Sequence, residues 1–232
     1  MPTTRTKSLL LAIILSSVFL CIFLLSERSL VQIERVAEPE PEQESDYEKM
    51  QSSKLRKHFE LIQKMDAEIQ TQLRERFKSV FKEHGFEVQG RAALCIGSRL
   101  GGEVRALQDL GALAVGIDFN PGEKNKHVLY GSATDLQFAS GVFDMLYSNI
   151  LDHIQDIDIF FREVSRVAKQ GSLLLLDLDQ NSPDEWSVRD LRGNVDKFSI
   201  QVQNMGWKLL SRSVITNEKD NGKIALVFSY RL

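Results

Sequence analysis

Gly97-Ser98-Arg99-Leu100-Gly101-Gly102 interrupts an apolar run, Ala92 to Ile96, and leads into a helix-like run from Glu103 to Leu110. Glycines at such a strand-to-helix turn let the backbone fold tightly and come close to a ligand, although packing alone can also require them. A second apolar run, Leu113 to Ile117, stops at Asp118. That acid lies about twenty residues beyond the first glycine, at the tip of the next strand, where its carboxylate can take both hydroxyls of an adenosine ribose. Loop and acid together point to an adenosine-containing cofactor.

The segments that follow extend the pattern. Gly131-Ser132-Ala133-Thr134-Asp135-Leu136-Gln137-Phe138 comes after Tyr130, and Val142-Phe143-Asp144-Met145-Leu146-Tyr147-Ser148-Asn149-Ile150-Leu151-Asp152-His153 comes next. An amphipathic helix is predicted from Phe160 to Lys169, closed by Gly171 and followed by the strand Leu173 to Asp177. In order and content these segments resemble the class I S-adenosylmethionine-dependent methyltransferases of the compact, small-molecule type. In those proteins the stretch reads roughly G-D-A-x-x-L-P-F, F-D, S-N-x-L-x-H and R-E-x-x-R-V-L-K-P-G-G, and about ninety residues here follow it.

The resemblance implies a cofactor, S-adenosyl-L-methionine, and a set of residues for it. Gly97 and Gly101 would form the turn under the methionine moiety, Asp118 would bind the ribose, Ser132, Ala133 and Thr134 would lie beside the adenine, and Ser98 and Phe119 are counted with them as cofactor-binding. Asn149 would end the fourth strand near the sulfur. Three positions depart from the pattern: Cys95 stands where an acid is usual, Arg99 replaces the middle glycine, and Ser132 replaces the acid that meets the adenine amino group. A hydroxyl still donates and accepts, without the charge that strengthens such a bond.

Methyl transfer from a sulfonium is an in-line displacement for which positioning can supply much of the catalysis. A hydroxyl nucleophile would also need a base, and Asp152, His153, Asp177 and Asp179 stand at the carboxyl ends of strands four and five, where one would be placed. Asp152 and His153 are the catalytic candidates, with a structural role for His153 equally open. No metal site is expected, because the four histidines are scattered without ligand spacing.

These residues need a sheet to carry them. After the fifth strand, Ser187 to Met205 has helical spacing. Two strand-like runs follow, Trp207 to Thr216 and Lys223 to Tyr230, joined by polar residues ending in Asn221-Gly222, which favours a hairpin. The expected fold is therefore α/β: a Rossmann-like seven-stranded methyltransferase sheet with an antiparallel last strand, helices on both faces and an N-terminal transmembrane helix. Residues 85–232 form the methyltransferase-like domain. Ahead of it, Leu55, Phe59, Ile62, Met65, Ile69, Leu73, Phe77 and Val80 mark an amphipathic helix over 47–84, whose first half offers a surface for a homodimer.

Ser8 to Leu25 is eighteen residues without a charge, just long enough to cross a hydrocarbon core of about 30 Å. It reads as a retained signal anchor, with a cleaved signal peptide as the alternative. Arg5 and Lys7 precede it and an acidic linker, 26–46, follows, so the positive-inside rule leaves residues 1–7 cytosolic and the domain lumenal or extracytoplasmic, a single-pass type II membrane protein. A formal net charge of −3 with no basic cluster argues against nucleic acid as partner. The expected partner is a small-molecule methyl acceptor. Two other readings stand beside this one: a membrane-tethered, degenerate methyltransferase-fold protein that binds without catalysis, and a nicotinamide-dependent oxidoreductase.

Overall fold

The computed structural model describes residues 46–180, 187–215 and 222–231. The apolar run 8–25 and the linker up to residue 45 lie outside them. Among the described residues no helix is long and apolar enough to cross a membrane.

The chain enters through α1 (Asp46–Lys57) and α2 (Phe59–His84), separated at His58, where the bond from the Ile62 amide to the His58 carbonyl carries the helical path on. Gly85 ends α2 in the left-handed conformation. The Gly85 amide donates to Lys82 O and the Phe86 amide to Phe81 O, with the Phe81 and Phe86 rings 5.3 Å apart, so the helix closes as a Schellman motif with its apolar contact.

Seven strands follow: β1 (Ala92–Ile96), β2 (Leu113–Asp118), β3 (Val128–Tyr130), β4 (Phe143–Ser148), β5 (Ala168–Asp179), β6 (Trp207–Ile215) and β7 (Lys223–Tyr230). They form one sheet in the order β3-β2-β1-β4-β5-β7-β6. β1 to β5 run parallel and β7 runs antiparallel between β5 and β6. Three helices complete the domain: α3 (Gly102–Asp109), α4 (Ile157–Val167) and α5 (Val195–Asn204). No helix links β2 to β3, as the short connection requires.

Strand periodicity sends alternate side chains to opposite faces. Leu94, Ile96, Leu174 and Leu176 pack with Phe160, Phe161 and Phe198 of α4 and α5, while Ala93, Cys95, Tyr147 and Leu175 pack with Leu73, Phe77 and Phe81 of α2. Each phenylalanine so buried contributes about 1.5–3 kcal/mol. The second half of the α2 stripe is thereby spent on its own domain and is closed to a second copy. A polar lock reinforces that packing: Arg76 donates to Asp177 Oδ1 at 2.6 Å, and the buried Tyr147 hydroxyl donates to Asp177 Oδ2 at 2.7 Å.

Several predicted boundaries shift: the helix predicted to reach Lys169 ends at Val167, and β5 runs from Ala168 to Asp179, through Gly171, where the sequence predicts a strand from Leu173 to Asp177. α4 begins at Ile157, not Phe160, because the Asp156 carboxylate accepts from the amides of Asp158 and Ile159 and caps the helix there. The helix expected over 187–205 covers only Val195–Asn204. Before it, the Asp190 carboxylate accepts from the Arg192 amide and Gly193 takes φ +67°, a turn that stops the helical spacing of Val188 and Leu191 from forming a helix.

A candidate cofactor and acceptor site at the carboxyl ends of the strands

The loop after β1 is built by backbone bonds to its neighbour strand. The amides of Gly97 and Ser98 both donate to Ile117 O, the Gly101 amide donates to Ser98 O, and the Ser98 hydroxyl donates to Cys95 O. Gly97 has φ +83°, and a Cβ there would meet the Ile150 side chain at 2.5 Å, so glycine is required twice over. Arg99, the residue at the middle-glycine position, takes φ 40°. Its amide donates to Asp118 Oδ2 at 2.8 Å, and the Asn120 amide donates to Asp118 Oδ1 at 2.7 Å. Asp118 therefore clamps both loops that flank it, and it also lines the cavity described below.

The helix α2 adds what the sequence did not reveal. Asp66, 7 % exposed, accepts from the Gly102 amide at 2.8 Å and pairs with Arg105. It caps α3 from another element, since Gly101 at the N-cap position has no side chain to do so. Gly102 packs so closely on α2 that a Cβ would lie 2.5 Å from Asp66 O. One signal was legible: Asp66 falls four residues after Ile62 and three before Ile69, a charge on the apolar face. Glu103 had no such signal. It is buried, and its carboxyl is pushed up to about 8, first by desolvation and then by the nearby carboxylates of Asp66 and Asp118.

These groups surround a cavity of about 330 Å³. One wall carries Gly97, Ser98 and Arg99 from the loop, Glu103 from α3, and Ile117, Asp118, Phe119 and Asn120 from the end of β2. Gly131 and Ala133 follow β3, and Asn149 and Ile150 follow β4. The opposite wall carries Asp152, His153 and Ile154, with Asp179 at the end of β5 and Lys223 at the start of β7. Ile62, Met65, Asp66 and Ile69 of α2 complete the lining. Of the sequence candidates, Gly97, Ser98, Asp118, Phe119, Ala133, Asn149, Asp152 and His153 thus meet at one cavity. Gly101 caps α3 behind it. Ser132 and Thr134 bond each other, hydroxyl to hydroxyl at 3.0 Å, within the turn after β3 and are not part of the lining.

The other motif residues hold this frame together. Asp144 accepts from the Ala92 amide and from Lys169, which ties the starts of β1, β4 and β5. Glu163 accepts from the Leu136 amide and Arg166 donates to Leu136 O and Phe138 O, which pins the segment after β3 to α4. On the far wall, Asp152 Oδ2 is 3.5 Å from His153 Nε2 and accepts from Ser187 at 3.4 Å. Burial raises the Asp152 carboxyl above the usual range, against the pull of His153. The amides of Val188 and Arg189 donate to Asp152 O and bring that segment over the wall. Among the described residues no group of His, Cys, Asp and Glu is arranged to hold a metal ion.

The arrangement discriminates between ligand classes. A dinucleotide pyrophosphate needs loop amides and positive charge. Here the amides of Gly97, Ser98, Arg99, Gly101 and Gly102 are bonded inside the protein, and Asp66, Glu103 and Asp118 face the same region. An adenosine that carries positive charge instead of phosphate suits these walls.

Sheet order, antiparallel β7 and the cavity above β1, β2 and β4 define the Rossmann-like fold of class I methyltransferases. Residues 94–176 match a family described as a methyltransferase domain. The chain is similar to an S-adenosylmethionine-dependent methyltransferase from Aquifex aeolicus, at 15 % identity over 66 % of this chain and 88 % of that one, TM-score 0.52. It is similar also to the Burkholderia thailandensis 1,6-didemethyltoxoflavin-N1-methyltransferase, solved with its substrate and S-adenosylhomocysteine, at 9 % identity over 80 % and 88 %, TM-score 0.62. A third similar structure is the [4+2]-cyclase SpnF, at 13 % identity over 68 % and 81 %, TM-score 0.55. That case separates the fold from the reaction. No curated protein matches the chain by sequence.

Proposed function

We propose that this chain is an S-adenosylmethionine-dependent methyltransferase acting on a small molecule. The observation that carries the reading is the joining, in one cavity, of an adenosine-type wall around Gly97 and Asp118 and a polar wall around Asp152 and His153. When bound, S-adenosylmethionine supplies a methyl group activated by the positive charge on its sulfur. Asp118 would hold the ribose hydroxyls, Gly97 would allow the close approach, and Phe119 and Ala133 would border the base. Ile62, Met65, Ile150 and Ile154 give the space between the walls an apolar border that limits water.

The acceptor is placed against Asp152 and His153. In the transfer this reading implies, the methyl–sulfur bond would break, leaving S-adenosylhomocysteine, as the acceptor's oxygen or nitrogen bonds to the methyl carbon, and the acceptor's proton would pass to one of these two groups. Asp152, raised by burial, can hold a proton that an exposed carboxylate would release. The reaction is tested by incubating the purified full chain with labelled S-adenosylmethionine and fractionated small-molecule extracts. Transfer of label to a small molecule, lost in Asp152→Asn, is the expected result. Tight cofactor binding with no transfer to any fraction would favour the non-catalytic reading, which Cys95, Arg99 and Ser132 suggest.

A single-span anchor at Ser8 to Leu25, with the domain on the extracytoplasmic side, is part of the same proposal and rests on the sequence alone. Resistance to alkaline carbonate and protection from protease in sealed vesicles are expected. Digestion of the domain without detergent would reverse the orientation.

A further inference from the structure

The cavity is lined by five carboxylates, Asp66, Glu103, Asp118, Asp152 and Asp179, against the permanent positive charges of Arg99 and Lys223. Four of the five interact within the protein, Asp179 among them. Asp66 caps α3 and pairs with Arg105, Asp118 clamps two loops, and Asp152 is set against His153 and Ser187. Glu103 differs. Only 5 % of it is exposed, it lines the cavity, and its Oε2 has no hydrogen-bond partner among the described residues.

A buried carboxylate oxygen without a partner costs stability, so its retention calls for a ligand group. The groups packed around it from other elements are Asp66 on α2, Asp118 at the end of β2, Arg99 in the loop, Cys95 on β1 and Tyr147 on β4. Of these only Arg99 is basic, and two are acids.

We infer that Glu103 receives the primary ammonium group of the bound cofactor, supplying from the start of α3 the negative charge that position 95, a cysteine, does not. The inference rests on S-adenosylmethionine as the ligand. The cofactor has two cationic centres, ammonium and sulfonium, and the ammonium is the one that can donate hydrogen bonds to an orphaned carboxylate oxygen. Because Glu103 is protonated at neutral pH before binding, at about 8, binding of the cation expels a proton. Below pH 8 the affinity then rises by roughly tenfold per pH unit, and release approaches about one proton per ligand at pH 7.

The experiment is calorimetric titration of the full chain at pH 7 in two buffers of different ionisation enthalpy. The probes are S-adenosylhomocysteine, which carries the ammonium without the sulfonium, and 5′-methylthioadenosine, which carries neither. Wild type is expected to release about one proton with the first and none with the second. Glu103→Gln is expected to abolish the release, weaken S-adenosylhomocysteine by roughly tenfold or more, and leave 5′-methylthioadenosine within about twofold.

Equal loss for both probes would mean that Glu103 only shapes the loop, and no loss for either would mean that it meets no ligand group. A loss for S-adenosylmethionine without one for S-adenosylhomocysteine would assign Glu103 to the sulfonium. Each overturns the inference while the cofactor reading stands. Should the variant fail to fold, the wild-type comparison decides alone: equal proton release with both probes overturns the inference. If wild type binds none of the three compounds, the proposed function itself fails and this inference with it.

Discussion

The two walls of the cavity are built differently. Around Gly97 and Asp118 short bonds to backbone amides fix almost every group: 2.8 and 2.7 Å to Asp118, 2.8 Å to Asp66, and 2.9 and 3.1 Å from Gly97 and Ser98 to Ile117 O. Around Asp152 the side-chain contacts are long, 3.4 Å to Ser187 and 3.5 Å to His153. The backbone of the second wall is held as firmly, with the Val188 amide 2.9 Å from Asp152 O and the His153 amide 2.9 Å from Ile150 O. The contrast lies in the carboxylates: Asp118 and Asp66 are fixed by amides, whereas among the described residues the Asp152 side chain makes only long contacts. In the proposed function the first wall meets the cofactor and the second the acceptor; a methyltransferase and a cyclase are both similar to this chain in fold, so the architecture alone does not set the reaction.

Substitutions should keep the two walls separable. With an acceptor identified, Asp152→Asn or His153→Ala should lower turnover by roughly 10²–10⁴-fold and change the affinity for S-adenosylhomocysteine by less than about twofold. A parallel loss of affinity would show that the walls are one unit. Because the base must be ionised, the rate should fall as pH drops through the raised value of Asp152.

Gly102→Ala attacks the rigid wall where α2 meets α3. The added carbon would lie 2.5 Å from backbone oxygen, so the helices must part and the Asp66 cap with them. A stability loss of about 1–3 kcal/mol in denaturant titration and weaker cofactor binding are expected. A stable variant with unchanged affinity would separate α2 from the site.

Glu103 predicts a pH slope. Its carboxyl binds a proton more tightly in the folded state, about 8 against an ordinary value of 4.5. Its contribution to stability is therefore fully present below pH 4.5 and is lost as pH rises through 8. Glu103→Gln should raise the melting temperature of the ligand-free protein at pH 8, by roughly 2–4 °C for each kcal/mol recovered, and should make little difference at pH 5. An equal effect at both would contradict the burial.

The smallest effect belongs to Cys95. The thiol is completely buried and held well above its ordinary value, by desolvation first and by Glu103 second. Cys95→Ala should cost about 1 kcal/mol or less and preserve cofactor binding, and the native protein should react slowly with thiol reagents at pH 7. Rapid labelling would make Cys95 part of the site.

The same contrast explains what the sequence let one read. The parallel strands and the glycine-to-acid spacing are local patterns, so β1 to β5, Gly97 and Asp118 could be placed from sequence. The hairpin of β6 and β7 followed from Asn221-Gly222 and flanking apolar runs. Asp66 and Glu103 could not be joined in advance, because Asp66 reaches α3 across 36 positions of chain and nothing local ties a helix charge to a loop built later. Ser132 and Thr134 were placed by pattern alone, and only geometry reveals that their hydroxyls bond each other. Spacing along 187–205 suggested one helix, yet Gly193 and the Asp190 turn shorten it, since backbone chemistry outweighs periodicity there.

The most direct measurement is the affinity of the full chain for S-adenosylmethionine beside that of Asp118→Ala and beside that for nicotinamide dinucleotides. Removing a carboxylate that clamps the loops and, in the proposed function, holds the ribose should cost roughly 1.5–3 kcal/mol, a loss of about ten- to 150-fold, and dinucleotides should not bind to the wild type. Equal affinity of wild type and variant for S-adenosylmethionine, or tighter binding of a dinucleotide, would contradict the account.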